Sequence, residues 1–271
     1  MTNIPKIFKL NNGVEIPMVG IGVNNIENSK VSRVISWALK SGYRHIDTAS
    51  AYENEEGVGR GIRESGFDRD QIFITTKLAA NDFPRPEKAF SESLSKLHVE
   101  YIDLYLLHWP FVNWINAWSV LEDIYEEGRA RAIGVSNFNI EQLEILKNKG
   151  RIKPVVNQIE VNPFVVKSKL IDYCQTEGIA VEAHSPLSRG KRLNDTLLET
   201  LAKGYGKTTA QIMIRWGLQR DFLMIPKSKK KSHLESNIDV FDFEIEKSDM
   251  QKIDSLNENN SPSIYVWGRI N

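Results

Sequence analysis

Four polar residues stand where short β-rich runs end, and their types suit one reaction. Asp47 closes the run YRHID, Tyr52 lies just beyond it, Lys77 closes IFITTK and His108 follows YIDLYLL. Reduction of a carbonyl by hydride leaves an alkoxide, which needs an acid to protonate it. A tyrosine alone, with a pKa of about 10, is a poor acid at neutral pH. A lysine ammonium beside it stabilises the phenolate and lowers that pKa, while an aspartate keeps the lysine charged and in place. A histidine can hydrogen-bond the carbonyl oxygen and fix its approach. Singly, each residue has a plainer reading: Asp47 or Lys77 as half of a structural ion pair, His108 as a satisfied core histidine. Together the four make a working set.

Positioning such a set requires a repeating scaffold. Eight β-rich runs recur along the chain: VGIGV from Val19, YRHID from Tyr43, IFITTK from Ile72, YIDLYLLHW from Tyr101, ARAIGVS from Ala130, VVNQIEV from Val155, IAVEAHS from Ile179 and FLMIPKS from Phe222. Most are too apolar to have one wet face, as expected of parallel strands covered on both sides. Amphipathic helices lie between them. Val31, Val34, Ile35, Ala38 and Leu39 form a helical stripe that Gly42 ends; Phe90, Leu94 and Leu97 form another, and Trp118, Leu121, Ile124 and Tyr125 a third before Gly128. Strand–helix alternation implies a parallel α/β architecture, and eight units favour a closed (β/α)8 TIM barrel over an open sheet. In such barrels the chemistry sits at the C-terminal strand ends. The opening KIFKLNNGVEIPMVG, with its Asn12-Gly13 turn, predicts a β-hairpin before the first barrel strand. No linker or composition break divides residues 1–271, so a single domain is expected.

Bulk properties exclude several classes. Lys+Arg and Asp+Glu both total 35, so the chain is neutral overall and nucleic acid is not expected as its main partner. No apolar run reaches the roughly 18 residues of a membrane span, and the N-terminal residues lack a signal-peptide core. Cys174 is the only cysteine and sits in the helical pattern Leu170, Ile171, Cys174, which marks it as core. A reducing compartment, the cytoplasm, follows as the expectation. The histidines and the cysteine show no metal-site spacing. Gly57, Gly59 and Gly61 lack the dinucleotide-fold G-x-G-x-x-G spacing and read as close helix packing.

The stretch GYRHIDTASAYENEEGVGRGI, Gly42 to Ile62, resembles the aldo-keto reductase signature, with Asp47 and Tyr52 at the family's Asp and Tyr. ITTK ending at Lys77 and LLHWP ending at Pro110 match where the family keeps its Lys and His. GVSNF, NQIEVNP, SPL, GKTTAQIMIRW and IPKS extend the likeness along nearly the whole chain. The resemblance is to bacterial-type members, nearest in size to the diketogluconate reductase branch. It implies an NADP-linked oxidoreductase acting on C=O and CH–OH groups of small aldehydes, dicarbonyls and ketones, expected to be a monomer. By that resemblance Ser136, Asn137 and Gln158 would bind the nicotinamide carboxamide and His184 would stack on its ring. Ser185 and Leu187 fall in the SPL cofactor motif, and Lys227, Ser228 and Asn237 would hold the adenosine end.

Departures from the family pattern sharpen these expectations. Ala79 replaces a frequent Trp, and His184 a frequent large aromatic. Asn24 stands near the active-site mouth where relatives carry an aromatic or Thr; with Trp109 it is taken as substrate-binding, and Trp114 and Trp267 are further aromatics that could line the pocket. The segment FVNWINAW is read as a shortened loop. Counting on from IPKS puts His233 where relatives carry the Arg that clamps the 2′-phosphate. NADPH is therefore expected to be preferred over NADH, but less strongly than with Arg, and NADH is an accepted second cofactor. A second reading from another class is a dinucleotide-binding regulatory subunit of the same fold with little turnover; the four filled catalytic positions speak against it.

Overall fold

The structure, a computed structural model, describes residues 6–258. Strands β1 (Ile7–Lys9) and β2 (Glu15–Pro17) pair antiparallel, and Gly13 turns between them at φ 88°, a left-handed conformation that glycine adopts without steric cost. Eight parallel strands follow: β3 (Ile21–Gly22), β4 (His45–Asp47), β5 (Phe73–Leu78), β6 (Leu104–Leu107), β7 (Ile133–Ser136), β8 (Val156–Glu160), β9 (Ala180–His184) and β10 (Leu223–Met224). Each pairs with its sequence neighbour. The sheet closes through a parallel bridge between Val19 and Met224, supported by Gly20 N–H to the Met224 carbonyl (2.9 Å) and Met224 N–H to the Met18 carbonyl (2.7 Å). The (β/α)8 barrel and the leading hairpin are thus as expected. The hairpin covers the N-terminal mouth: Asn11 donates to the carbonyls of Pro154 and Gly178, and Asn12 to that of Arg131, just ahead of β8, β9 and β7.

Ten helices are described: α1 (Asn28–Lys40), α2 (Glu55–Ser65), α3 (Pro86–Leu97), α4 (Trp114–Glu126), α5 (Ile140–Lys149), α6 (Ser168–Thr176), α7 (Thr196–Tyr205), α8 (Thr209–Leu218), α9 (Lys231–Ile238) and α10 (Lys247–Asp254). The stripe Val31, Val34, Ile35, Ala38 and Leu39 is buried along α1, and each large side chain so covered contributes about 1.5–3 kcal/mol. Side chains cap the later helices: Asn139 with Gln142 for α5, Thr208 with Gln211 for α8. Gly57, Gly59 and Gly61 lie inside α2. A Cβ at Gly57 or Gly61 would run into the carbonyls of Asn28 or Ser32 on α1, and at Gly59 into that of Leu97 on α3. Close packing is their use. The segment FVNWINAW is a helix for most of its length, because α4 begins at Trp114 and leaves only a short loop before it. Trp114 packs edge-on against Phe138, ring centroids 5.0 Å apart, which makes it a packing residue. Trp267 lies outside the described residues. Cys174 is buried, and burial pushes its thiol up to about 11, so it is an inert core residue.

Candidate active site

The barrel's C-terminal mouth brings the four chemical residues together. Asp47 is the last residue of β4 and Lys77 lies near the end of its neighbour β5, so both face the interior. Lys77 Nζ donates to Asp47 Oδ1 (2.7 Å), Asp47 Oδ2 (2.8 Å) and the Thr48 carbonyl (2.7 Å). Its side chain has no exposed surface. Tyr52 ends a one-turn helix, Ser50–Tyr52, that two side chains hold in place. Ser50 Oγ donates to the Lys77 carbonyl (3.0 Å) and accepts from Ala79 N–H (3.3 Å). Buried Asn54, accepting from Thr48 Oγ1, donates to the carbonyls of Val23 and Ile26 and so pins this connection to the loop after β3. Lys77 Nζ sits 5.2 Å from the Tyr52 ring centroid, close enough for its charge to act on the phenol. His108, directly after β6, stands edge-on to Tyr52 with ring centroids 5.6 Å apart.

The electrostatics differ from the sequence expectation in one respect. Burial raises the Tyr52 pKa; Lys77 lowers it, but not enough to bring it below the ordinary value. Lys77 limits the rise instead. Burial works against charge on Lys77, yet Asp47 and Tyr52 outweigh it and hold the ammonium. Burial raises the Asp47 pKa against the pull of Lys77 and Gln158, and the two short contacts from Lys77 Nζ make the pair an ammonium–carboxylate contact. Burial, with the fields of Lys77 and His184, drives His108 well below its ordinary pKa. It is a neutral imidazole at pH 7.

Behind this pair lies a polar chain that sequence reasoning did not find. Gln158 on β8 donates both hydrogens of Nε2 inward, to Asp47 Oδ2 (2.8 Å) and to Glu182 Oε2 on β9 (2.5 Å). Glu182 Oε1 lies 3.6 Å from His45 Nε2, which is 3.0 Å from Thr75 Oγ1. His45, Glu182 and Thr75 have no exposed surface.

The expected cofactor positions form a rim around the mouth. Ser136 Oγ donates to the Gln158 carbonyl (3.0 Å), and Asn137 Nδ2 to Ser136 Oγ (2.9 Å) and the His108 carbonyl (3.2 Å). His184 bonds Asn137 Oδ1 through Nε2 (3.1 Å) and Ser185 Oγ through Nδ1 (3.3 Å). Burial drives it down to about 3, so it too is neutral. Asn137 and Ser185 have φ of 64° and 53°, a left-handed backbone that concentrates at ligand clamps. Leu187 packs partly buried against the core below. Farther round, Ser228 and Asn237 are buried, whereas Lys227, Lys229, Lys230, Lys231 and His233 are exposed at the start of α9. Trp109 is half-buried beside Phe111, and Asn24 is exposed after β3. The donor set suits a nicotinamide dinucleotide. With both Gln158 N–H groups spent inward, its remaining hydrogen-bonding group is the carbonyl oxygen, an acceptor for an amide N–H. Exposed lysines at a helix start suit phosphate.

The fold and site define a barrel oxidoreductase, and sequence comparison identifies its class. The aldo/keto reductase family model matches residues 17–258, and the chain belongs to that family. It is 45% identical to glyoxal reductase of Bacillus subtilis over 261 residues, 95% of each chain. It is 40% identical to methylglyoxal reductase DkgA of Escherichia coli over 259 residues, 94% of each. Among solved structures, a Bombyx mori aldo-keto reductase in complex with NADP superposes with a TM-score of 0.90 at 38% identity, covering 95% of this chain and 94% of that one.

Proposed function

We propose that the chain reduces small aldehydes, dicarbonyls and ketones to alcohols with NADPH, acting as a single-domain, cytoplasmic monomer with Tyr52 as the proton donor. The observation that carries the reading is Tyr52 flanked by the buried Lys77–Asp47 pair on one side and a neutral His108 on the other. Glyoxal and methylglyoxal reductases among the relatives support a dicarbonyl substrate.

His108 donates a hydrogen bond to the carbonyl oxygen and orients it toward Tyr52. When bound, a reduced nicotinamide supplies the hydride. The Tyr52 O–H bond breaks as the substrate O–H bond forms, and the phenolate left behind is held by the Lys77 ammonium. A Tyr52 pKa above the ordinary value slows the transfer without reversing it, since an alkoxide is a far stronger base than a phenolate. Asp47 keeps Lys77 charged throughout. Ser136, Asn137 and Gln158 would hold the carboxamide, and His184 would stack on the ring with its two nitrogens tied to Asn137 and Ser185. Ser185 and Leu187 would also contact the cofactor, with Lys227, Ser228, His233 and Asn237 at the adenosine end. Trp109 and Asn24 would face the substrate.

The test is NADPH oxidation with methylglyoxal or nitrobenzaldehyde, repeated with Tyr52→Phe. The wild type should turn over, and kcat of the variant should fall by about 10² or more, the scale of a positioned acid. Cofactor affinity should barely change. Retention of more than half of wild-type kcat, with chemistry rate-limiting, would remove Tyr52 from the role. Tight NADPH binding without turnover on a broad carbonyl panel would instead favour a regulatory subunit.

A further inference from the structure

Glu182 takes no part in the chemistry above, yet it lies one hydrogen-bonding residue from Asp47. Gln158 Nε2 touches Asp47 Oδ2 and Glu182 Oε2 together, so the two carboxyls share a single amide nitrogen in a buried interior. An ionised carboxylate offers about four lone-pair sites. Among the described residues Glu182 finds one donor, on Oε2, while Oε1 has none within hydrogen-bonding distance. His45 Nε2 faces Oε1 from 3.6 Å.

Charge counting points the same way. The titratable groups facing Glu182 are His45 and Asp47 from β4, Lys77 from β5 and Tyr52 from the turn after β4. His184 lies two residues along its own strand, and β8 contributes the uncharged Gln158. Lys77 is the one fixed cation of this set, and Asp47 already neutralises it. Ionising Glu182 would leave an uncompensated buried negative charge.

Resting on the carbonyl-reductase reading of the site, we propose that Glu182 is a positioning residue that carries a proton at neutral pH, aimed at His45, so that Asp47 is the sole carboxylate acting on Lys77. Loss of that proton in alkaline solution weakens Tyr52 as an acid.

The titration behaviour agrees with the geometry. Burial, and then the Asp47 charge, pushes Glu182 up to about 8, while burial and Lys77 drive His45 down to about 3. The proton of this pair therefore rests on the carboxyl. Once Glu182 ionises, its field raises the pKa of both Tyr52 and Lys77. A higher Tyr52 pKa means slower protonation of the alkoxide, so reduction falls as pH rises through this window.

Two measurements on Glu182→Gln, which mimics the neutral acid, decide the matter. In infrared difference spectra of the wild type between about pH 6 and about pH 10, a protonated-carboxyl C=O band should vanish with a midpoint of about 8, and Glu182→Gln should lack it. In kcat against pH with methylglyoxal, the variant should keep most of its activity at neutral pH. Its alkaline fall should begin about one pH unit or more above that of the wild type. A role confined to packing would lower kcat without moving that limb. Absence of the infrared band, or an unmoved limb in a variant that turns over, overturns the proposal. A chain that reduced no carbonyl would sink the reading of its function and leave the infrared test of Glu182 decisive.

Discussion

Asp103 and Glu182 are both buried carboxyls of the same barrel, and their surroundings could hardly differ more. Asp103 stands at the N-terminal rim, just before β6, with a side chain 1% exposed. It accepts from Arg69 (2.6 Å), from Ile74 N–H (2.9 Å) and from Arg131 (2.8 Å). Both oxygens are served, and the Arg131 side chain keeps 46% of its surface in solvent, so little charge is stranded. That clamp ties the starts of β5, β6 and β7. Toward the other mouth, Asp47 must share Lys77 with Tyr52, and Glu182 has an oxygen with no donor. Burial of charge is common to both regions. What separates them is unfinished pairing, and it lies beside Tyr52, the group that changes its charge in the proposed reaction.

The hardest blow to this contrast is Lys77→Met. It leaves Asp47 buried without its cation, at a cost of roughly 3–5 kcal/mol if burial is complete. Stability to urea should fall accordingly and turnover with methylglyoxal should disappear. Asp47→Asn should act the same way but less completely. A folded Lys77→Met enzyme with a wild-type pH–rate profile would show that the pair does not govern Tyr52.

Asp103→Asn is the matching experiment on the opposite rim. The lost charge-assisted hydrogen bonds put the destabilisation at about 1.5–3 kcal/mol, measured by urea unfolding. Its kcat and KM should stay within about twofold of wild type, because additivity and distance leave the chemistry untouched. A large fall in kcat at full folding would mean that the two regions are coupled and that the division drawn between them is wrong.

Much of this is legible in the sequence itself. Eight apolar runs separated by amphipathic helices foretell the barrel, since a parallel strand covered on both faces has no polar alternation to hide it. Asp47, Lys77 and His108 were readable because a polar residue at the end of an apolar run stands out. Glu182 and His45 were not, though the signal was there: IAVEAHS carries a carboxylate in the middle of a strand with no wet face, and YRHID places His45 two residues before Asp47 on the same side. A charge in such a run demands a partner, and the partner lies on a distant strand that only the closed barrel brings near. The direction of the Tyr52 shift was hidden for a related reason. Its sign depends on burial outweighing Lys77, and spacing along the chain says nothing about depth.

The smallest expected effect tests the outer rim, where pairing is made with solvent and ligand and not within the core. His233 is the third residue of α9 and exposed, in the company of Lys229, Lys230 and Lys231. A phosphate there would meet the unpaired N–H groups of the first helical turn and their positive dipole end as well as the lysines, so no single side chain should dominate. An arginine at 233 would still add a permanently charged planar fork, against the single donor an imidazole offers. Hydrogen bonds to charged groups contribute about 1.5–3 kcal/mol, which sets a ceiling of roughly 10- to 100-fold on the gain. His233→Arg should therefore raise the NADPH to NADH ratio of kcat/KM within that ceiling and leave kcat with saturating NADPH unchanged. The measurement separates two layouts of the α9 start. A rising ratio puts residue 233 against the 2′-phosphate; an unchanged ratio shifts that contact to the lysines ahead of it, and Lys229→Ala and Lys230→Ala would then lower the ratio where His233→Arg could not raise it.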